Sequence, residues 1–318
     1  MRRFPPTITI LSVVLVFGVL LASPAAAQKA RQKAKANNDE AASKQAPAPD
    51  GFDESFVYKT VGDVALRLYV YRPDDLKPGD KRPAIVFFFG GGYNGGTPNQ
   101  FAPQCRYFAE RGMVAVTVDY RVHSRHGTMP ADAIADGKSA VRWIRTHAEK
   151  LGVDPQRIVA SGGSAGGNLA VCCALVPGCN DPQDPQDVSA VPNAMVLFNP
   201  AYLGTDKAYS VTEERFPAEI RADTHIRKGL PPSIMFFGTN DPFLPGAQQF
   251  QQAMVAAGNR CELMTWEGQK HGFFNLGKAD NRYFIATVEA ADRFLASLGF
   301  LKGEPHVKKF AAEYRPAE

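Results

Sequence analysis

A glycine-rich turn after a short apolar run constrains the fold of this chain more than any other segment. Residues 161–167 read Ser-Gly-Gly-Ser-Ala-Gly-Gly, and they follow the run at 157–160. The pattern Gly-x-Ser-x-Gly, centred on Ser164, predicts a sharp turn from a buried strand into a helix. Gly162 and Gly166 must be small because the strand and the helix nearly touch at such a turn. The turn exposes the Ser164 hydroxyl beside the first N–H groups of the helix.

Strand-like and helix-like segments alternate along the rest of the chain. Apolar runs typical of strands covered on both faces lie at 84–89, 113–118, 157–160, 194–198, 233–237 and 261–265. Two further runs, at 56–60 and 66–71, alternate as an antiparallel pair does. Helical stretches lie at 104–111, 131–150, 164–175, 245–257 and 281–298. The alternation predicts an α/β fold with a mostly parallel eight-stranded sheet flanked by helices. Between 199 and 232 the pattern lapses, which predicts a small excursion over the site as a lid.

The first 27 residues have the three parts of an export signal. Arg2 and Arg3 precede an apolar run at 8–21, and small residues at 25–27 offer a cleavage point before Gln28. The run of 14 residues is short for a bilayer crossing, so we expect cleavage and no stable membrane anchor. Cleavage lowers the formal net charge from +4 to +2. A protein so near neutrality has no electrostatic basis for binding nucleic acid.

Composition divides the remainder into three parts. Residues 28–50 are rich in Ala, Lys, Gln and Pro, with almost no large apolar side chain, and are predicted to form a flexible linker. The folded catalytic domain is expected to span 51–301, and 302–318 is predicted to be a charged C-terminal tail.

The five cysteines leave two interpretations open. In an exported protein, Cys179 would close a small loop by pairing with Cys172 or Cys173, but an odd count leaves at least one thiol unpaired. Buried free thiols are the alternative. No cysteine pair has zinc-ligand spacing with nearby histidines, so no metal site is expected.

A serine nucleophile needs a base to accept its proton and a third group to orient that base. Among the six histidines, His271 is the strongest candidate, because it lies in a loop after the last predicted strand. His123 and His126 lie in a loop beyond residue 118 and are weaker candidates.

The orienting acid should also follow a strand. Asp241 follows the run at 233–237, although an aspartate before proline is also common in turns. Asp119 ends another strand, but a structural pair with Arg121 explains it more simply.

A fourth element is the triple glycine that follows Phe89. Gly90, Gly91 and Gly92 allow the backbone to approach a substrate closely and to present N–H donors to an oxyanion. A plain flexible turn is the alternative.

These motifs together resemble the α/β-hydrolase fold and, more narrowly, the hormone-sensitive-lipase-like family of bacterial carboxylesterases. The matching segments are 89–93, 118–121, 162–168, 238–242 and 271–273, within 52–301. The resemblance implies that Ser164 attacks an ester carbonyl, that His271 acts as base and then acid, and that Asp241 orients His271.

The resemblance further implies that the N–H groups of Gly91, Gly92 and Ala165 hold the oxyanion, and that Phe89 and Tyr93 contact substrate. This chain departs from the family at one point. The family usually has histidine before the triple glycine, where this chain has Phe89, so packing of Phe89 must hold the glycine loop.

We therefore expect an exported serine esterase that needs no cofactor. The short excursion before Leu230 leaves little cover for a long acyl chain, which favours acetyl and other short esters. An O-acetylated carbohydrate is the natural substrate expected from location and family. Two alternatives stay open: a peptidase of the same fold, and a binding module that keeps the fold without catalysis.

Overall fold

Eight strands form one continuous sheet in residues 44–203 and 214–315, the part of the chain that this computed structural model describes. They are β1 (Glu54–Val61), β2 (Val64–Tyr71), β3 (Arg82–Phe88), β4 (Val114–Val118), β5 (Val153–Gly163), β6 (Ala194–Phe198), β7 (Ser233–Gly238) and β8 (Cys261–Trp266). Their order across the sheet is β1-β2-β4-β3-β5-β6-β7-β8. The β1–β2 and β2–β4 pairs are antiparallel, and the other pairs are parallel. The predicted sheet is therefore confirmed.

Helices occupy the segments between most of these strands. They are α1 (Ala102–Glu110), α2 (His123–His126), α3 (Pro130–Thr146), α4 (Ala148–Leu151), α5 (Ala165–Leu175), α6 (Leu244–Ala256), α7 (Arg282–Ser297) and α8 (Val307–Glu313). The single stretch predicted at 131–150 is two helices, because His147 between them leaves the helical backbone conformation. Within the described residues, no helix combines the length and apolar character needed to cross a membrane.

The central strands are buried on both faces, which explains their continuous apolar sequences. Side chains alternate across a strand, so Val114 and Val116 of β4 face one apolar cluster while Ala115 faces the other. Helices α3, α5 and α6 contribute to the first cluster. Helices α1, α7 and α8 contribute to the second. The sheet is thus covered on both sides, and the carboxyl ends of its parallel strands meet at one edge.

The predicted linker extends too far toward the C-terminus, because residues 44–50 lie against the domain. The Asp50 N–H donates to Asn99 Oδ1 at 2.9 Å, and the Tyr71 hydroxyl donates to the Asp50 carbonyl at 2.7 Å. Ala46 is buried. Backbone hydrogen bonds, which composition does not reveal, hold this segment. The predicted signal sequence and the linker at 28–43 lie outside the described residues.

Within the predicted charged C-terminal tail, residues Val307–Glu313 form α8, which packs on the domain. Val307 and Phe310 lie three residues apart on one helix face, and both are buried. The Phe310 ring centroid lies 5.4 Å from that of Tyr107 and 6.3 Å from that of Phe284. Charged residues on the remaining face of this short helix conceal its apolar contact in the composition.

The excursion after β6 is described at 199–203 and 214–232. It contains two short 3₁₀ helices, Ala218–Ile220 and Ala222–His225. The Phe216 ring lies 4.6 Å from that of Tyr202 and 5.8 Å from that of Tyr93, measured between centroids. The described part of the excursion therefore packs beside the glycine loop.

All five cysteines are free thiols. Cys179 is partly exposed, and the other four are buried. The structure therefore supports the second of the two interpretations that the sequence left open, in which the cysteines are free thiols.

Candidate active site

Ser164 lies at the turn between β5 and α5 in a strained backbone conformation. Its φ of 53° and ψ of −121° are rare for a residue that carries a Cβ. Its N–H donates to the Phe198 carbonyl at 3.1 Å, and its own carbonyl accepts the N–H groups of Asn168 and Ala201 at 3.0 Å. These backbone bonds from β6, α5 and the segment after β6 hold the strained residue in place.

The two glycines around Ser164 are required by the close approach of strand and helix. A Cβ at Gly162 would lie 2.5 Å from the carbonyl oxygens of Phe88 and Gly166. A Cβ at Gly166 would lie 2.1 Å from the Phe88 oxygen. Real Cβ atoms do not approach oxygen so closely, so the small residues expected at both positions are a geometric requirement.

The structure brings the three predicted triad residues together. His271 Nε2 lies 2.8 Å from Ser164 Oγ, and His271 Nδ1 lies 2.8 Å from Asp241 Oδ2. Asp241 follows β7, and His271 lies in the loop after β8. The Asp241 side chain is fully buried, whereas that of His271 is 31% exposed. The second carboxylate oxygen, Oδ1, accepts the Phe243 N–H at 3.0 Å.

Asn199, directly after β6, contacts His271 as well, and sequence reasoning did not single it out. Its Oδ1 accepts the Gly272 N–H at 3.1 Å, which places its Nδ2 at 3.2 Å from His271 Nε2. Because Nδ2 can only donate, Nε2 must act as an acceptor here. The histidine proton is therefore on Nδ1, facing Asp241, and the unprotonated Nε2 can accept the Ser164 proton. The position of Asn199 directly after a strand is the sequence signal that could have identified it.

The competing residues have other partners. Asp119 pairs with Arg125 at 2.9 Å, not with Arg121 as expected. Arg121 instead pairs with Asp136 of α3 at 2.8 Å. His126 Nε2 lies 2.7 Å from the carbonyl oxygen of Lys44. These groups tie the loop after β4 to its neighbours and are not part of the Ser164 site.

Packing beneath the glycine loop takes the form that Phe89 led us to expect. The Phe89 ring stacks on Tyr120 with centroids 4.1 Å apart and planes 14° apart. The Tyr120 hydroxyl donates to the Phe89 carbonyl at 2.6 Å. Burial raises the pKa of Tyr120, so the hydroxyl remains a donor. Gly91 has φ of 129°, and a Cβ there would lie 2.2 Å from the Gly95 oxygen.

Phe89 and Tyr93 do not contact the cavity at Ser164, contrary to the prediction that they bind substrate. Both are buried beneath the glycine loop, at 0% and 2% exposure. The Tyr93 hydroxyl donates to Asn168 Oδ1 at 2.7 Å, and burial raises its pKa. Their rings point into the core because the backbone, not the side chains, forms the wall of the site.

A cavity of about 580 Å³ opens at Ser164 and His271. Its lining is Gly90, Gly91, Gly92, Gly96, Thr97, Asn99, Gln100, Ser164, Asn199, His271, Gly272 and Phe274. Gly91 and Gly92, two of the three predicted oxyanion donors, belong to this wall. The third, Ala165, is buried at the first position of α5. Sequence reasoning missed Gln100 and Phe274, for which no local pattern gave a signal.

The excursion reaches the wall of the site through Arg215. Its guanidinium donates to the Gly92 carbonyl at 2.5 Å. The Tyr202 hydroxyl oxygen lies 3.7 Å from where a Cβ at Gly92 would be. The excursion therefore supports the glycine loop from outside.

Comparison with known proteins agrees with this geometry. A family model described as BD-FAE matches residues 68–195, and one described as alpha/beta hydrolase fold matches residues 213–275. Carboxylesterase NlhH of Mycobacterium tuberculosis is 28% identical over 76% of this chain and 79% of its own length. Esterase LipI of the same organism is 35% identical over 72% of this chain and 76% of its own length.

A solved structure is more similar still. Thermogutta terrifontis esterase 2 with propionate bound has a TM-score of 0.75 and 51% identity, covering 79% of this chain and 96% of that one. The same esterase phosphonylated by sarin has a TM-score of 0.77 and 49% identity, covering 81% and 99%. This chain belongs to the hormone-sensitive-lipase-like family of α/β-hydrolase-fold carboxylesterases, and it is a serine ester hydrolase.

Proposed function

We propose that this carboxylesterase is exported, prefers short acyl esters such as acetates, and works through an acyl-enzyme on Ser164. The observation that carries the proposal is the row of two 2.8 Å contacts that joins the Ser164 hydroxyl, the His271 ring and the buried Asp241 carboxylate. Such a row matches the serine nucleophile, base and orienting acid of hydrolytic triads.

In the first step, Ser164 Oγ attacks the ester carbonyl while His271 Nε2 accepts the hydroxyl proton. Asp241 then faces an imidazolium and stabilises its charge. The Phe243 N–H on Asp241 Oδ1 keeps the carboxylate oriented so that Oδ2 faces the ring. The imidazolium returns the proton from Nε2 to the departing alcohol, which leaves the acyl group on Ser164.

The negative charge of the tetrahedral intermediate needs donors that are already in place. We assign this role to the N–H groups of Gly91, Gly92 and Ala165. Loss of one such donor typically costs about 3 kcal/mol of transition-state stabilisation. The second half-reaction repeats the chemistry, with water as the nucleophile and His271 as its base, and releases the acid.

The lining of the cavity supports a short acyl group and a polar alcohol. Phe274 is the aromatic member of its lining, which also includes the polar side chains of Thr97 and Asn99. The related esterase has been solved with propionate and with butyrate bound, which are both short acids. We therefore propose an O-acetylated carbohydrate as the natural substrate, because a hydroxylated alcohol matches these polar side chains.

Hydrolysis of p-nitrophenyl acetate tests the role of Ser164. We expect Ser164→Ala to abolish turnover and labelling by a fluorophosphonate probe, with little change in thermal stability. Ser297→Ala is the matched control, because it removes a serine hydroxyl that donates to the Phe294 carbonyl within α7. Helix α7 belongs to the second apolar cluster and does not carry a triad residue. Unchanged turnover in Ser164→Ala would contradict the assigned nucleophile.

A series of acetyl, butyryl and octanoyl esters with one leaving group tests the acyl preference. We expect kcat/KM to be highest for acetyl and to fall with length, and a maximum at octanoyl would contradict the proposal. Acetylated xylan, with release of acetate as the readout, tests the carbohydrate substrate. No acetate release above that of Ser164→Ala would rule out this polymer.

Export has its own test. When the full-length precursor is expressed in cells, the mature protein should be found outside the cytoplasm, with its N-terminus at Gln28. Full-length protein that starts at Met1 and stays in the cytoplasmic fraction would contradict export without affecting the esterase assignment.

A further inference from the structure

We propose that the side chains of Gln100 and Asn275 form an amide bridge that positions the glycine loop relative to the His271 loop during ester hydrolysis. The inference rests on the proposed function, because it concerns the distance between the oxyanion donors and the base. Both residues are positioning residues: they act on the reaction through the backbone groups that they hold.

The bridge is a chain of three hydrogen bonds between two separate loops. The Gly90 N–H donates to Gln100 Oε1 at 2.6 Å. Gln100 Nε2 donates to Asn275 Oδ1 at 3.2 Å. Asn275 Nδ2 then donates to the Gly272 carbonyl at 2.8 Å. Gly90 begins the glycine loop, and Gly272 directly follows His271, so the bridge joins the two catalytic segments.

The two backbone ends fix the orientation of both amides. Gly90 offers only a donor, so the Gln100 oxygen must face it, and the Gln100 nitrogen must face Asn275. Gly272 offers only an acceptor at its carbonyl, so the Asn275 nitrogen must face it. Flipping either amide breaks two bonds. Only residues with one donor and one acceptor on the same planar group complete this chain.

The chain continues to the reacting nitrogen. The Gly272 N–H donates to Asn199 Oδ1 at 3.1 Å, and Asn199 Nδ2 lies 3.2 Å from His271 Nε2. Three side-chain amides therefore connect the first glycine of the oxyanion loop to the ring that accepts the Ser164 proton. A displacement of either loop is opposed by every bond along this path.

Gln100 is also exposed to the cavity, which raises direct substrate contact as the competing explanation. Its Oε1 and Nε2 atoms are already engaged, one with Gly90 and one with Asn275. The residue comes from the 3₁₀ helix Pro98–Phe101, and the neighbouring Phe101 is fully buried. This anchored backbone suits a residue that holds another loop in position.

A double-mutant cycle tests the bridge, with Gln100→Leu, Asn275→Leu and the double variant. We expect each single change to lower kcat for p-nitrophenyl acetate about 10- to 100-fold, the order of loss that a misplaced reacting group causes. KM should change far less, because the acyl and alcohol contacts remain. The double variant should lose no more than the larger single loss, since both changes break one path.

Isosteric variants keep the test informative if leucine prevents folding. Gln100→Glu retains the acceptor for Gly90 but loses the donor to Asn275, and Asn275→Asp loses the donor to Gly272. Both should lower kcat in the same way. Gln251→Leu is the matched control, because its amide bonds the Cys261 carbonyl at the start of β8. It should leave kcat and KM unchanged.

Ser164→Ala, assayed in parallel, separates this proposal from the proposed function. When that variant is inactive, unchanged kcat in Gln100→Glu and Asn275→Asp overturns the bridge alone. Single losses that multiply in the double variant also overturn it, as does a rise in KM without a fall in kcat. If Ser164→Ala remains active, both proposals fail.

Discussion

Replacing Ser164 by glycine should make the protein more stable than replacing it by alanine. Both changes remove the hydroxyl and its contact with His271, so the comparison isolates the backbone. The residue has φ of 53° and ψ of −121°, which only glycine adopts without strain. Alanine retains the Cβ and therefore the strain, whereas glycine releases it.

Two opposing contributions set the size of the effect. Strain at a functional residue of this kind costs about 1–3 kcal/mol. Glycine also loses roughly 0.4–1 kcal/mol relative to alanine, because it makes the unfolded chain more flexible. The difference favours Ser164→Gly by about 1 kcal/mol in the free energy of unfolding. At an unstrained helical position the sign reverses, and glycine is about 1 kcal/mol worse than alanine.

Urea unfolding of both Ser164 variants measures this difference, with Ala253→Gly as the control. Ala253 is exposed in the interior of α6, so its change should lower the free energy of unfolding by about 1 kcal/mol. Both Ser164 variants should be inactive. If Ser164→Gly is less stable than Ser164→Ala by the amount that Ala253→Gly loses, the strain does not exist.

Three other predictions concern the rest of the fold. Phe310→Ala should lower the free energy of unfolding, measured in urea, by about 3–5 kcal/mol, because the side chain is buried. Lys309 is exposed, so Lys309→Ala should leave that free energy unchanged. Equal stability of the two variants would contradict the packing of α8. Burial raises the pKa of Cys173 to about 12 and that of Cys261 to about 11. Both thiols should therefore resist Ellman's reagent at pH 8 until urea unfolds the protein. Rapid labelling of either thiol in the native protein would contradict this prediction. Burial lowers the pKa of His126, so protonation of this histidine favours the unfolded chain. The free energy of unfolding should fall as pH drops below about 6.5, and it should fall less steeply in His126→Gln. Equal pH slopes of the free energy of unfolding in the two proteins would contradict this prediction.

The strands were predictable because burial on both faces leaves a simple pattern. The run at 194–198 matches β6 at both ends, since a strand covered on two sides has no polar positions to blur it. The triad was predictable for a related reason. Parallel strands place their carboxyl ends along one edge, so residues just after β5, β7 and β8 converge.

The errors came from contacts that chain position does not encode. Phe89 and Tyr93 flank the glycine loop in sequence, but their side chains point beneath it. The sequence predicted a pair between Asp119 and Arg121, its nearest arginine along the chain, whereas the turn after β4 directs Arg125 toward Asp119. Gln100 is an ordinary amide in sequence, and its partner Asn275 lies 175 residues away, so only the folded chain reveals their contact.

Wide spacing of the reacting groups determines when this protein acquires activity. Ser164 and His271 are 107 positions apart, and the segment between them contains β6, β7 and β8, which occupy the last three places at one edge of the sheet. A growing polypeptide that has formed only the turn at Ser164 therefore still lacks the histidine base and cannot hydrolyse esters. Recovery of hydrolysis after denaturation should then report assembly of the final strands, later than spectroscopic signals of helix formation.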